Sequence, residues 1–509
     1  MPTTEPPTLD PALATDHASI QVAVQLFEGL TEIDGAGQPA PLGAEKWDVA
    51  DDGRTFTFAL RGDRVWSDGS AVTAADYVWA WRRAIDPRTA SDYAALLYPI
   101  KNAYRIHNER LDPALLGVTA RDPQTLVVNL EEPLAHFPTL TSLVTFSPLK
   151  KEALERFGDR WTRPENIVTN GPFRLVEWVH DKQLILERSP TYPGADRLMP
   201  RAILRIFPED GASQALAAYD SGALDVFGTG AAFEIPPGDA GRMVGDPAVR
   251  PTVRTTSQSG TLFLAVNHRR PHLQDSRVRR ALGLVIEREK VLRDILQRVG
   301  TPAIALVPDG ISGRDDSRWP VENVDAARTA LSEAGFPDGS DFPPIGFAFN
   351  VTPQWSRLGE YLRQRFKDTL GVEVKLEPME WMAFMRWRRG EEWKNSGDLA
   401  RGGWLSDYED PYNWYNLIWD SREDPGSFNA GWRHEEFDAL VREAAMTLDR
   451  AERSALYGRA DEVLATEYPA IPIFHYGSRT LVRPYVGGFE PERLHSLVRL
   501  KRVRLDDQR

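Results

Sequence analysis

The stretch from Pro344 to Met379 constrains the fold of this chain more than any other. "PIGFAFN" (Pro344 to Asn350) is a short apolar run with the character of a buried strand. After it, Leu358, Tyr361, Leu362 and Phe366 recur at i, i+3, i+4 and i+8, which predicts a helix from about Gln354 to Leu370. Gly371 follows, where a helix that ends in the left-handed region wants a residue without Cβ. "VEVKLEPM" then opens a second strand. Strands joined through a helix run parallel by a right-handed crossover, and a parallel pair needs cover on both faces. The chain must therefore contain a layered α/β domain.

The rest of the sequence alternates in the same way. "RTFTFAL" (Arg54 to Leu60) alternates polar and apolar residues, the pattern of a half-buried strand. Thr73 offers an N-cap with Asp76 at the capping-box position, ahead of a helix that places Tyr77, Trp81 and Ile85 on one face. "PQTLVVNLEEP" (Pro123 to Pro133) and "KQLILER" (Lys182 to Arg188) predict strands. "DSRVRRALGLVIEREKVLRDIL" (Asp275 to Leu296) predicts one long amphipathic helix capped by Ser276. Helices over about Glu435 to Leu448 and Ala451 to Glu467 precede the strand "AIPIFHY". The expected class is mixed α/β with more than one sheet, and 509 residues leave room for several domains.

Composition removes whole classes of function. The chain has no cysteine, so disulfides, thiol nucleophiles and cysteine-based metal sites are excluded. Its 61 basic and 74 acidic residues give a net charge of −13, the wrong sign for a general nucleic-acid binder. No apolar run has the length of a membrane span. "MPTTEPPTLDP" lacks a basic segment followed by an apolar one, so the expected protein is either cytosolic or exported with its leader removed. Catalytic signatures are missing as well: the sequence contains no G-x-S-x-G, no H-E-x-x-H and no G-x-x-x-x-G-K-[ST]. "HEEFD" at His434 lacks the second histidine of a zinc motif, and in "NHRRPH" Pro271 separates His268 from His272, which reads as a solvated loop. No metal and no cofactor is expected.

Tryptophan supplies the positive signal. Seven of the 15 fall between Trp381 and Trp432, and some stand in loop-like sequence such as "RGGWLSDYEDPYNWYN". Core packing accounts for several of them. Aromatic rings on loops beside polar groups also suit a ligand cleft, where a sugar platform and a peptide pocket would read alike.

Three segments carry a resemblance. "GAEKWDVADDGRTFTFALRGDRVWSDGSAVTAADYVWAWRRAIDPRTASDYA", "WTRPENIVTNGPFRLVEWVHDKQLILERSPTYP" and "ARGGWLSDYEDPYNWYNL" closely resemble the oligopeptide-binding proteins of bacterial ABC importers, the family-5 extracellular solute receptors. The order agrees from Leu9 to Val486. The resemblance implies a periplasmic-binding-protein-like, two-lobed α/β fold with an additional domain (type II, cluster C). Domain I would comprise 1–27, 152–267 and 478–509, domain II 28–151, and domain III 268–477. It implies a monomeric receptor outside the cytoplasm, without catalytic activity, that closes over an oligopeptide and delivers it to a membrane-embedded ABC permease.

The same resemblance implies a site. Asp407 matches the carboxylate that pairs with the peptide α-ammonium. Gly403 and Leu405 match positions that pair through backbone, and Thr15, Asp16 and His17 match a strand on the ligand's other side. Trp404, Trp381 and Tyr93 match aromatic pocket walls. Arg401 and Arg388 match basic residues near the ligand's C-terminal end, where guanidinium donors suit a carboxylate. Two departures stand out. Trp355 stands where the family can place a histidine for ligand carboxylates, which bears on peptide length. Only eight residues precede Leu9, so a trimmed N-terminus or a missing edge strand is expected. The rivals are the same fold with another ligand (dipeptide, opine, sugar or metal chelate) and a hydrolase whose carboxylates meet only on folding.

Overall fold

The computed structural model describes residues 1–229, 233–235, 239, 252–297, 299–422, 430–494 and 496–506. The chain divides into two compact units, Met1–Thr256 with Ser478–Arg509, and Ser257–Gly477.

The first unit holds two four-stranded sheets. In one, Ala44–Val49, Thr55–Leu60, Thr125–Asn129 and Val118–Asp122 pair antiparallel in that order. Thr55–Leu60 alternates half-buried and buried residues as its sequence predicts. The helix Ala74–Ile85 buries Tyr77, Trp81 and Ile85. Asp76 serves its start, accepting from the Thr73 backbone N–H at 2.7 Å and from the Thr73 hydroxyl at 2.9 Å. The other sheet runs Pro2–Thr3, Arg201–Ile206, Gln183–Arg188, Phe173–Val179. Its first strand corrects one expectation: an edge strand is present, two residues long and parallel to Arg201–Ile206.

The second unit is built on β1 (Val253–Val266), β2 (Ile345–Asn350), β3 (Val374–Met379), β4 (Leu399–Leu405) and β5 (Ala470–Val482), in the order β5-β1-β4-β2-β3. The strand–helix–strand reading holds: β2 and β3 pair parallel across α1 (Pro353–Leu370), and Gly371 closes that helix at φ 70°. Every residue of β2 is buried.

The helix expected from Asp275 to Leu296 needs correcting in two respects. Asp275, not Ser276, is its N-cap, with its carboxylate accepting from the Arg277 backbone N–H at 2.8 Å. The helix also stops at Leu284, and helical structure resumes at Arg288. Tertiary partners take the groups that a continuous helix would pair internally. The Asn323 N–H donates to the Leu284 carbonyl at 3.0 Å, and Arg365 donates to that of Val285 at 2.6 Å. The Glu287 N–H donates to the Tyr361 hydroxyl at 2.9 Å. These partners come from distant sequence, so periodicity alone could not reveal the break.

The segment His268–His272 is likewise not a solvated loop. His268 is buried and bonded to the Pro469 carbonyl at 2.8 Å, and burial pushes its pKa down to about 3. His272 lies 3.3 Å from the Asp398 carboxylate. That carboxylate also accepts from Arg270 at 2.8 Å and from the Gly346 N–H at 2.9 Å, which fixes the start of β4 against the start of β2. His434 is an N-cap, accepting from the Phe437 N–H.

Candidate ligand-binding site

β4 and the turn after it gather most of the residues that the sequence singled out. β4 pairs antiparallel with β1 from Leu399 to Leu405. The Ser406 N–H continues this ladder, donating to the Ser259 carbonyl at 2.8 Å. Backbone direction alternates along a strand. Trp404 and Gly402 therefore turn their peptide groups toward β1, while Gly403 and Leu405 turn theirs toward the opposite edge. On that edge the register with β2 covers only Leu399 and Ala400. Leu405 is exposed there.

The turn from Ser406 to Asn413 is held from beneath. The buried Ser406 hydroxyl accepts the Trp414 indole N–H at 2.7 Å. Asp410 accepts from the Tyr412 N–H at 2.9 Å and makes a two-pronged ion pair with Arg453, at 2.9 and 2.5 Å. Asp407 differs from Asp410 in its surroundings. It forms no salt bridge among the described residues, and burial raises its pKa, with the Asn413 amide pulling weakly the other way. Trp404 donates its indole N–H to Asn413 Oδ1 at 2.7 Å.

Six residues before Asp407, a second cluster forms around Arg401. Its guanidinium donates to Asn350 Oδ1 at 2.6 Å and is stacked by two rings, with centroids at 4.7 Å for Trp355 and 5.3 Å for Trp381. Arg388 is buried close by. Burial and the Arg401 charge together push its pKa down to about 9. Two guanidiniums and two indoles thus share one place. Trp355 belongs to the hydrophobic core at 7% exposure, whereas Trp381 is 45% exposed. Trp355 reaches this place by supporting Arg401 from the core side. "RRGEEWKNSGD" folds as the end of one helix (Trp381–Arg389) and a second short one, Glu391–Ser396.

The tryptophan cluster divides accordingly. Trp393, Trp414, Trp419 and Trp432 are core, Trp404 and Trp387 are partly buried, and Trp381 faces outward. Tyr93, Thr15, Asp16 and His17 belong to the first unit. Tyr93 is half-buried, just ahead of the turn Ala94–Leu97. Thr15 to His17 is not a strand. Asp16 caps the helix His17–Leu26, accepting the Ser19 N–H at 2.9 Å, and this local bond outcompetes extended pairing. Sequence reasoning missed Asn413 and Asn350, since a lone asparagine carries no spacing signal.

A mixed α/β unit with a partly paired strand edge, a half-buried carboxylate, and a stacked guanidinium beside a second, buried one is equipped to hold a solute. The chain belongs to the bacterial extracellular solute-binding proteins of family 5. The profile described as "Bacterial extracellular solute-binding proteins, family 5 Middle" matches residues 38–426. The chain is 32% identical over 494 residues to the probable deoxycholate-binding periplasmic protein YgiS of Escherichia coli (strain K12), covering 95% of this chain and 89% of the relative. It is 32% identical over 492 residues to the periplasmic oligopeptide-binding protein OppA of the same organism, covering 95% and 87%. The structure of the periplasmic murein tripeptide-binding protein MppA in its unliganded open form matches with a TM-score of 0.86 at 29% identity, covering 99% of this chain and 96% of that one. The fold is thus the cluster C periplasmic-binding-protein fold. Proteins of this family are transport receptors without catalytic activity, which removes the hydrolase alternative. No helix among the described residues is long and apolar enough to cross a membrane.

Proposed function

We propose that this protein is a receptor outside the cytoplasm that binds short peptides with a free N-terminus and hands them to an ABC permease. The observation that carries this reading is Asp407, a carboxylate set in a poorly hydrated place without a cation. Burying such a group is costly unless an opposite charge arrives. A peptide α-ammonium supplies that charge. The extended ligand then adds to the outward edge of β4 at Gly403 and Leu405, where backbone pairing reads no side chains. Its carboxylate end meets Arg401 and Arg388, whose forked donors suit it. Closure of two lobes over the ligand, the division into domains I, II and III, and a place for Tyr93 and Thr15 to His17 in the site are what the resemblance implies.

Removing one partner of a buried charge pair typically costs roughly 3–5 kcal/mol, or about two to three and a half orders of magnitude in affinity. Asp407→Asn should weaken free-amino peptides by that factor with folding intact. N-acetylated peptides should bind the unaltered protein poorly. Calorimetric titration of one peptide in both forms decides the matter, and equal affinities would remove Asp407 from the site.

A second reading rests on Trp381. Its exposed ring, stacked on Arg401, also suits an apolar anion, and one relative is named as probably deoxycholate-binding. Such a ligand has no ammonium. Deoxycholate binding that is indifferent to Asp407→Asn, together with no peptide binding, would favour it.

A further inference from the structure

Asn413 lies between two parts of the proposed site. Trp404 can only donate through its indole nitrogen, so the Asn413 atom 2.7 Å from it must be Oδ1. That assignment is fixed by chemistry, and it turns Nδ2 the other way. Nδ2 is buried without a hydrogen-bond partner in the protein, and the Asn413 residue itself is 0% exposed. An unmade buried amide donor is costly, and a side chain serving packing alone would be apolar or fully satisfied. The neighbours on that side are Asp407 and Tyr408, and the Asn413 amide favours the ionised form of each against burial. It lies close enough to act on the Asp407 carboxyl, without the geometry of a full hydrogen bond.

We propose that Asn413 is a positioning residue for the ammonium end of the ligand: one end of its amide fixes the Trp404 wall, and the other engages the Asp407 carboxylate when the ligand arrives. The inference rests on the reading of Asp407 as the ammonium receptor. An asparagine here would let the carboxylate stay ionised out of water, with one oxygen engaged and the other left for the ligand. Free-amino ligands would then be selected by Asn413 acting through Asp407, not by Asp407 alone.

The test uses the full chain and the tightest-binding member of an Ala-Xaa-Ala tripeptide series, free and N-acetylated, titrated by calorimetry from pH 4 to 7. Asn413→Ala should weaken the free peptide about tenfold at pH 7 and change the acetylated one little. It should also move the acid limb of binding to higher pH, because the carboxyl loses the one neighbour that favours its charge. The carboxylates of Glu409 and Asp410, in the same turn, are present in both proteins, so the shift is read as the difference between variant and unaltered protein. Tyr408 is held neutral by burial, and Asp410 beyond it is paired with Arg453. In an Asp407→Asn background, Asn413→Ala should add less than about twofold. Equal losses in both backgrounds would show that Asn413 acts through Trp404 packing and would overturn the proposal. Asp407→Asn binding as well as the unaltered protein would instead sink the reading of Asp407, and this inference with it. Should Asn413→Ala fail to fold, Asn413→Ser carries the same comparison with the same two outcomes.

Discussion

Three aspartates in one unit show how surroundings assign a carboxylate its role. Asp410 is paired with Arg453 and holds a turn. Asp407 forms no salt bridge among the described residues, and on the proposed reading a ligand ammonium completes it. Asp461 is fully buried, accepting from the Tyr415 hydroxyl, the Trp319 indole and the Asp315 N–H, each at 3.1 Å. No guanidinium forms a salt bridge with it among the described residues, and burial pushes its pKa up to about 6 from 3.8. A raised carboxyl pKa means that the folded state binds the proton more tightly than the unfolded one. Its ionisation therefore costs about 3 kcal/mol of stability at pH 7, a cost that shrinks as pH falls through 6 and vanishes below 3.8. Asp461→Asn keeps the shape and removes the charge. Urea unfolding at pH 7 and pH 5 should show the unaltered protein gaining about 1 kcal/mol or more on acidification relative to the variant. Parallel profiles for the two proteins would mean that Asp461 does not titrate in this range.

At the scale of elements, β4 has two edges that are paired to different extents. The edge toward β1 is paired along the whole strand, whereas the register with β2 ends at Ala400. Proline removes one N–H and tolerates an extended strand only where that N–H is not needed by the sheet. Position 405 meets this condition, since its peptide group turns away from β1. Leu405→Pro should therefore leave the melting temperature within a few degrees while weakening a tripeptide about tenfold, because the ligand loses a main-chain partner. An unchanged affinity with an intact fold would take the ligand off this edge. Gly402 is a contrasting case on the same strand. A Cβ there would stand 2.7 Å from the Phe263 ring, so close packing against β1 requires glycine.

At the scale of the molecule, the chain passes between its two units twice, once within β1 and once within β5. On the reading proposed above, these two crossings would serve as the hinge. If ligand binding is coupled to closure, peptide should stabilise the protein by mass action and select a more compact form. Adding a saturating tripeptide should raise the melting temperature and reduce the radius of gyration seen by X-ray scattering. Tight binding with no compaction would leave the receptor reading in place and remove the closing mechanism.

Elements with a local signal were legible in the chain alone. The βαβ unit at Pro344 to Met379, its glycine terminus at Gly371 and the Thr73–Asp76 cap were all legible, because periodicity, φ and side-chain reach operate within a few residues. The resemblance named Asp407, Arg401 and Trp404 together, and the fold places them on and just after one strand. The break of the helix after Asp275 at Leu284 became visible only on folding, where Asn323 and Arg365 take the carbonyls of Leu284 and Val285. Folding alone showed that Trp355 backs Arg401 from the core, and that Asp16 caps a helix where a strand was expected. It also brought Asn413 to Trp404 and Asp407, a placement set by how the turn through Asp410 and Arg453 folds back on β4. Burial, and the bonds it makes obligatory, depend on partners distant in sequence, and no local pattern encodes which partners those will be.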